Sequence, residues 1–268
     1  MRPKTTPLEY LPCRDTVFKY MFQNNKELLQ RFVSELLSVD FDAMADFTIE
    51  SPELTPQSVD GKLCRLDICM KLGNKLIDLE IQACDEKGYP ERTLYYCSDL
   101  FVSGHKKGAK ASYLSAPQTI TVSLTKFNMF PDTLDYVSRF SMLEEKRHTL
   151  LTDKMQLVYY ELPKLPKLAD GANMLLLWLS LFNSETEEDL AALRTMEVPV
   201  INQAIETCNT AASSPSLREI ERNRRLSELD YENGIATAEA RGRAEGRAEG
   251  RAEVYRELGI DPTTLPKT

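Results

Sequence analysis

The sequence predicts an α/β protein: a mixed sheet flanked by helices, followed by a helical C-terminal region. Three observations carry this. Residues 63–83 read as two alternating strands about a Gly73-Asn74 turn, and residues 118–125 alternate strictly with β-branched side chains. Residues 15–38 and 90–107 instead carry apolar side chains at helical spacing. After about residue 166 the strand pattern stops and only helical patterns follow.

Composition sets outer limits. The chain has 268 residues, 42% hydrophobic and 28% charged, which suits a soluble globular protein with a sizeable core. Its greasiest run, Met174 to Phe182, is interrupted by Ser180 and is too short to span a bilayer. The start carries no apolar segment followed by a cleavage site. The expectation is a cytoplasmic protein with no membrane partner. The six cysteines (13, 64, 69, 84, 97 and 208) form no CxxC pair, and His105 and His148 are the only histidines, which argues against zinc. Several of the cysteines fall in apolar patterns, as small buried thiols do in reduced compartments. A net charge of −8 argues against a large nucleic-acid footprint, although residues 105–110 (HKKGAK) form a local basic strip.

Taken in order, residues 1–11 are an irregular arm bearing Pro3 and Pro7. Asp15 reads as an N-cap. Phe18, Met21, Phe22, Leu28, Leu29, Phe32, Val33, Leu36 and Leu37 then predict helices over 15–23 and 25–38, broken at Asn24-Asn25. A short strand is expected near 46–50, before the hairpin. Pro90 suits the first turn of a helix over about 90–107, with Leu94, Cys97, Leu100 and Phe101 on one side. Strands follow at 118–125, 134–147 and 154–162. Helices are expected at 173–183, 185–196, 199–207 and 215–235. The chain thus divides into residues 1–165, 166–235 and 236–268.

The hairpin carries the chemistry. Cys64, Leu66, Ile68, Met70 and Leu72 line one face of its first strand, and Ile77, Leu79, Ile81 and Ala83 line one face of its second. The other faces are mostly polar. With Leu72 facing Lys75, Asp67 falls opposite Glu80 and Arg65 opposite Gln82. Opposed carboxylates repel. A divalent cation on oxygen ligands would neutralise them; a solvated face, or pairing with Arg65, is the plainer alternative.

The motifs Asp15-Thr-Val-Phe-Lys-Tyr-Met-Phe22, Arg65-Leu-Asp67-Ile, Glu80-Ile-Gln82, Arg92-x-x-Tyr95-Tyr96, Gly108, Tyr113 and Glu161-Leu-Pro-Lys164 occur in order. Over roughly residues 12–165 this series resembles the recombination-promoting nuclease/putative transposase (Rpn-like) family of PD-(D/E)xK proteins. The resemblance implies a restriction-endonuclease-like fold and a divalent-metal-dependent DNA endonuclease. It implies that Asp67 and Glu80 bind Mg²⁺ or Mn²⁺, with the Ile81 carbonyl as a further ligand and Glu50 as an additional candidate. Gln82 stands where the commoner motif has Lys, able to orient water but bringing no charge. Arg92 and Tyr95 or Tyr96 would approach the metal or the scissile phosphate, and Lys106 and Lys107 would contact DNA. Asp15 and Lys19 match the opening motif, beside the simpler reading of a cap and a solvated lysine. The alternative is a catalytically degenerate module that binds DNA or protein; a transposition accessory factor is a third reading.

Residues 242–253 repeat GRAE three times. At helical spacing its i,i+4 neighbours are Arg-Arg and Glu-Glu, which repel. Its three glycines cost about 1 kcal/mol each relative to Ala. A second copy would bring glycine stripes together and set Arg against Glu. The expectation is a homodimerising or partner-binding stalk; a flexible charged tail is the other outcome.

Overall fold

The computed structural model describes residues 5–23, 25–50, 53–54, 64–65, 67–104, 112–169, 171–257 and 259, some by backbone alone. The chain divides into two compact units, Met1–Ser214 and Pro215–Thr268.

The first unit opens with helices α1 (Asp15–Gln23) and α2 (Lys26–Leu37), which bury Val17, Phe18, Met21 and Phe22, and Leu28, Leu29, Phe32, Val33 and Leu36. These are the stripes that the sequence spacing places inward. Strands β1 (Phe47–Ile49), β2 (Glu53–Leu54), β3 (Cys64–Arg65), β4 (Ile68–Leu72) and β5 (Lys75–Gln82) follow, then helix α3 (Tyr89–Gly104). Next come β6 (Gln118–Thr125), β7 (Val137–Leu143) and β8 (Leu150–Glu161). Helices α4 (Met174–Asn183), α5 (Glu187–Arg194) and α6 (Pro199–Ser213) complete the unit.

Six strands form one mixed sheet in the order β1-β4-β5-β6-β8-β7. β5, β6 and β8 are mutually parallel, while β1, β4 and β7 run antiparallel to their neighbours. Parallel neighbours need a crossover, and α3 supplies it between β5 and β6. The β4–β5 hairpin has the expected register, Leu72 opposite Lys75 through Ile68 opposite Leu79. Gly73 takes a φ of 57°, which residues with a Cβ rarely adopt. The ladder ends at Ile68. Arg65, expected opposite Gln82, pairs instead through its backbone with Glu53 in a separate two-stranded ladder.

Helix α3 packs on β5, β6 and β8. Its buried side chains are Tyr89, Thr93, Cys97 and Leu100, whereas Leu94, expected inside, is half exposed. The reason is the sheet face beneath it. Asp78 and Glu80 of β5 and Thr119, Thr121, Ser123 and Thr125 of β6 all point to that face and are buried. Tyr89, Thr93 and Cys97 of the helix lie over this polar floor. Farther along α3, Leu100 and Tyr96 pack with Cys69 and Leu76. A Cβ at Gly104 would collide with Leu76 and Pro117, so the helix ends on a residue without one.

A second core is aromatic. Phe18 and Phe22 of α1, Phe32 of α2 and Trp178 and Phe182 of α4 place their ring centroids 5.0 to 6.4 Å apart. α4 packs on α2, and α6 on α1. Residue 166 therefore marks a change of secondary structure inside one packed unit.

The second unit contains one long helix among its described residues, α7 (Pro215–Glu257), 43 residues long. It runs unbroken through all three GRAE repeats. Among the described residues no helix is long and apolar enough to cross a membrane.

Candidate active site

Asp67 sits in the bend that enters β4, one step beyond the last ladder pair. Its N–H donates to Glu80 Oε1 at 3.0 Å, and its Oδ2 accepts the Ile81 N–H at 3.0 Å. The hairpin thus brings the two carboxylates together as the register requires, and backbone amides fix both. Lys19 reaches in from α1: its ammonium lies 2.9 Å from Asp67 Oδ1 and 2.8 Å from Asp15 Oδ1. Asp15 opens the first turn of α1 and Lys19 follows one turn later, so both face the same side.

The electrostatics follow from burial. Glu80 is 6% exposed, and burial, reinforced by the Asp67 charge, pushes its carboxyl up to about 7. Burial also raises the Asp67 pKa, against the pull of the Lys19 ammonium. Asp78, two residues before Glu80 and fully buried, is raised well above the usual carboxylate range by burial and by the charges of Glu80 and Asp67. Neither of its oxygens makes a well-directed hydrogen bond, and the same holds for the hydroxyls of Tyr89, Thr119, Thr121 and Ser123. Lys19 is raised: burial lowers it, but Asp67 and Asp15 outweigh that.

Gln82 lies at the end of β5 with its amide engaged at both ends. Nε2 donates to the Cys84 carbonyl at 2.8 Å, and Oε1 accepts from Arg92 Nη2 at 2.8 Å. Arg92 Nη1 binds Glu86 at 2.8 Å, and its guanidinium lies 4.8 Å above the Tyr89 ring. Two sets of contacts result: Asp15, Lys19, Asp67, Glu80 and Ile81 form one, and Gln82, Arg92 and Glu86 form the other; they adjoin along β5, and the Arg92 charge acts on Glu80. Tyr95, half exposed on α3, sets its ring 6.4 Å from that of Tyr96. Glu50 lines a small pocket with Asp67 but accepts the Thr48 hydroxyl at 2.9 Å. Lys106 and Lys107 lie outside the described residues.

These contacts fit the sequence series stretch by stretch. The model of the family described as PD-(D/E)XK nuclease family transposase matches residues 12–238. The chain belongs to this family. Its fold is the α/β mixed sheet of PD-(D/E)XK proteins, and the family's description ties it to nucleases and mobile elements. The match covers α4–α6 and the first half of α7 as well as the sheet. Comparison with curated proteins and with solved structures gives no match.

PD-(D/E)XK nucleases generally use divalent metals. The donors here suit a hard cation in kind: two carboxylates beside a strand carbonyl. Ile81 turns its N–H toward Asp67, and a strand residue directs its carbonyl to the same side. In number they are fewer than a cation takes. Among the described residues no group of three or more His, Cys, Asp or Glu is arranged to hold a metal ion.

Sequence reasoning passed over Asp78, although alternation places it on the Glu80 face. It also left Glu161 and Lys164 without a role. Glu161 is fully buried; its Oε1 accepts the N–H groups of Met129 (2.6 Å) and Phe130 (3.1 Å), and its Oε2 meets the Lys164 ammonium at 2.7 Å. These contacts tie the loop after β6 to the end of β8.

Proposed function

We propose that the chain is a divalent-metal-dependent DNA endonuclease that hydrolyses phosphodiester bonds. The observation that carries the reading is the Asp67–Glu80 pair, interlocked through each other's strand backbone at the edge of the α3-covered face. Asp67, Glu80 and the Ile81 carbonyl would hold Mg²⁺ or Mn²⁺, with water or substrate oxygens completing the set. Such an ion polarises a phosphoryl oxygen and lowers the pKa of a bound water. The protein's own residues position and counterbalance. Arg92 faces Glu80 electrostatically and can exchange its exposed Glu86 partner for a phosphate oxygen, which guanidinium binds bidentately. Gln82 holds Arg92 in place. The free, buried thiols of Cys13, Cys69, Cys97 and Cys208 support a reducing, cytoplasmic setting. Homodimerisation through α7 is part of the same proposal.

The decisive experiment is plasmid nicking by purified protein in Mg²⁺ and in Mn²⁺, beside Asp67→Ala and Glu80→Ala. Cutting by the wild type alone, with all three equally folded, supports the reading. Equal cutting by the variants, or none by any protein, overturns it. One observation favours the second reading, a degenerate DNA- or protein-binding module: the Gln82 amide is already bonded at both ends, leaving it poorly placed to orient water.

A further inference from the structure

Phosphodiester hydrolysis builds negative charge on the phosphoryl oxygens, and a preorganised cation beside them lowers the barrier. The commoner form of the motif has a lysine at the third position for which Gln82 stands here. A second cation at position 82 would meet the one already beside it. Its side chain abuts the Arg92 guanidinium, 2.8 Å from Gln82 Oε1, and a lysine there would face that positive group directly. Gln82 is thus a brace for Arg92.

The ammonium bonded to a motif carboxylate comes from the other side of the hairpin. Lys19 Nζ lies 2.9 Å from Asp67 Oδ1, and its side chain is 23% exposed, enough for a substrate oxygen to reach it. Its position is set by packing, because Val17, Phe18, Met21 and Phe22 around it on α1 are all buried. Asp15 holds the same ammonium at 2.8 Å. When Asp67 turns to a divalent cation, Asp15 still anchors Lys19. An ammonium has three N–H donors; two meet these carboxylates, and the third remains for a phosphate oxygen.

We infer that Lys19 is the catalytic cation of this site, doing from α1 what a lysine at the third motif position does from the strand. The inference rests on the nuclease reading above. In the step concerned, a water oxygen forms a bond to phosphorus and the bond to the leaving oxygen breaks. One water proton passes to solvent, and the leaving alkoxide takes a proton from solvent. Lys19 keeps all its protons and donates one N–H to a non-bridging oxygen as charge builds on it. Asp15 is a positioning residue that acts through Lys19.

The test uses the full chain and supercoiled plasmid. Lys19→Met, Lys19→Arg and Asp67→Asn are compared for cleavage kinetics, Mn²⁺ affinity by calorimetry, and melting temperature. Lys19→Met is expected to lose about 10²- to 10³-fold in kcat, the usual effect of removing one such donor. Its KM and melting temperature should hold. Its Mn²⁺ affinity should match or exceed the wild type, because an ammonium competing for Asp67 is gone. Lys19→Arg should recover much of the rate, and Asp67→Asn should lose both cleavage and Mn²⁺. If Lys19→Met cuts at the wild-type rate while Asp67→Asn does not cut, the Lys19 role is wrong and the nuclease reading stands. If Lys19→Met loses Mn²⁺ or melts early in step with its lost rate, Lys19 serves only the fold. If the wild type cuts with neither metal, the nuclease reading fails and the Lys19 role fails with it.

Discussion

Glu80 couples folding to pH in a direction opposite to most acidic residues. Its carboxyl is raised from 4.5 to about 7 by burial and by Asp67. The folded chain therefore keeps a proton that the unfolded chain releases near its ordinary pKa. That contribution is fully present below the unfolded value and is lost as pH rises through about 7. Without metal, stability should fall between about pH 4.5 and about pH 7, by up to about 3 kcal/mol from this group. Cation binding needs the charged form, so Mn²⁺ affinity should rise over the same window. Melting curves of the metal-free protein and of Glu80→Gln provide the check. An equal slope in the variant would mean that another group is responsible. Glu161 is a different kind of buried carboxylate, held by two amides and Lys164. Glu161→Ala leaves two amides unpaired and the buried Lys164 ammonium without its counter-charge, held only to the Phe130 carbonyl, a change worth roughly 3–5 kcal/mol. In a unit of this size that lowers the melting temperature by roughly 10 °C. Plasmid cutting well below that temperature should persist, since Glu161 takes no part in the site. Loss of cutting in a folded variant would place the Glu161 pair in catalysis after all.

Elements differed in how much of themselves they disclosed. The β4–β5 hairpin was legible to the residue because a Gly-Asn turn and period-two alternation fix register together, and register alone put Asp67 beside Glu80. Helix α3 was legible in extent, and in phase at Cys97 and Leu100 but not at Leu94. Counting apolar residues favours Leu94 over Thr93, and only the polar floor of Asp78, Thr121 and Ser123 reverses that choice. The floor in turn looked like a solvated face, since alternation shows which residues share a side but not what covers it. Lys19 was visible only as a motif position: its meeting with Asp67 spans distant parts of the chain and leaves no periodicity. Helix α7 was read as a helix followed by a marginal tail, because local propensity penalises Gly242, Gly246 and Gly250. All three have nothing within 4 Å of an added Cβ. Replacing them together with alanine should raise helix content by circular dichroism, at about 1 kcal/mol per site. If the glycine stripe is a contact between copies, the added methyls hold the helices apart, and the oligomer should dissociate as helicity rises. An unchanged solution mass would remove the stripe from the interface.

At the scale of the molecule, Asp15, Lys19, Asp67, Glu80, Gln82 and Arg92 all belong to the unit that ends at Ser214. The chain carries a net charge of −8, so nothing in its overall field draws it to DNA. Productive engagement then depends on the site itself and on how many sites act at once. One hydrolytic site cuts one strand. The two strands of a duplex run in opposite directions, and a two-fold pair of protomers can present one site to each. If α7 joins two copies, ending the chain after Ser214 should leave the folded unit, its Mn²⁺ affinity and its nicking of one strand intact. The mass in solution should fall to that of a monomer, and linear plasmid should give way to open circles. The family match extends to residue 238, into the first half of α7, so a chain ending there separates the two halves of that helix. Linear product from residues 1–238 but not from 1–214 would assign pairing to the first half of α7. Linear product from the full chain alone would assign it to the GRAE repeats. Equal linear product from all three chains would mean that paired cutting needs no α7, and the helix would have to serve another partner.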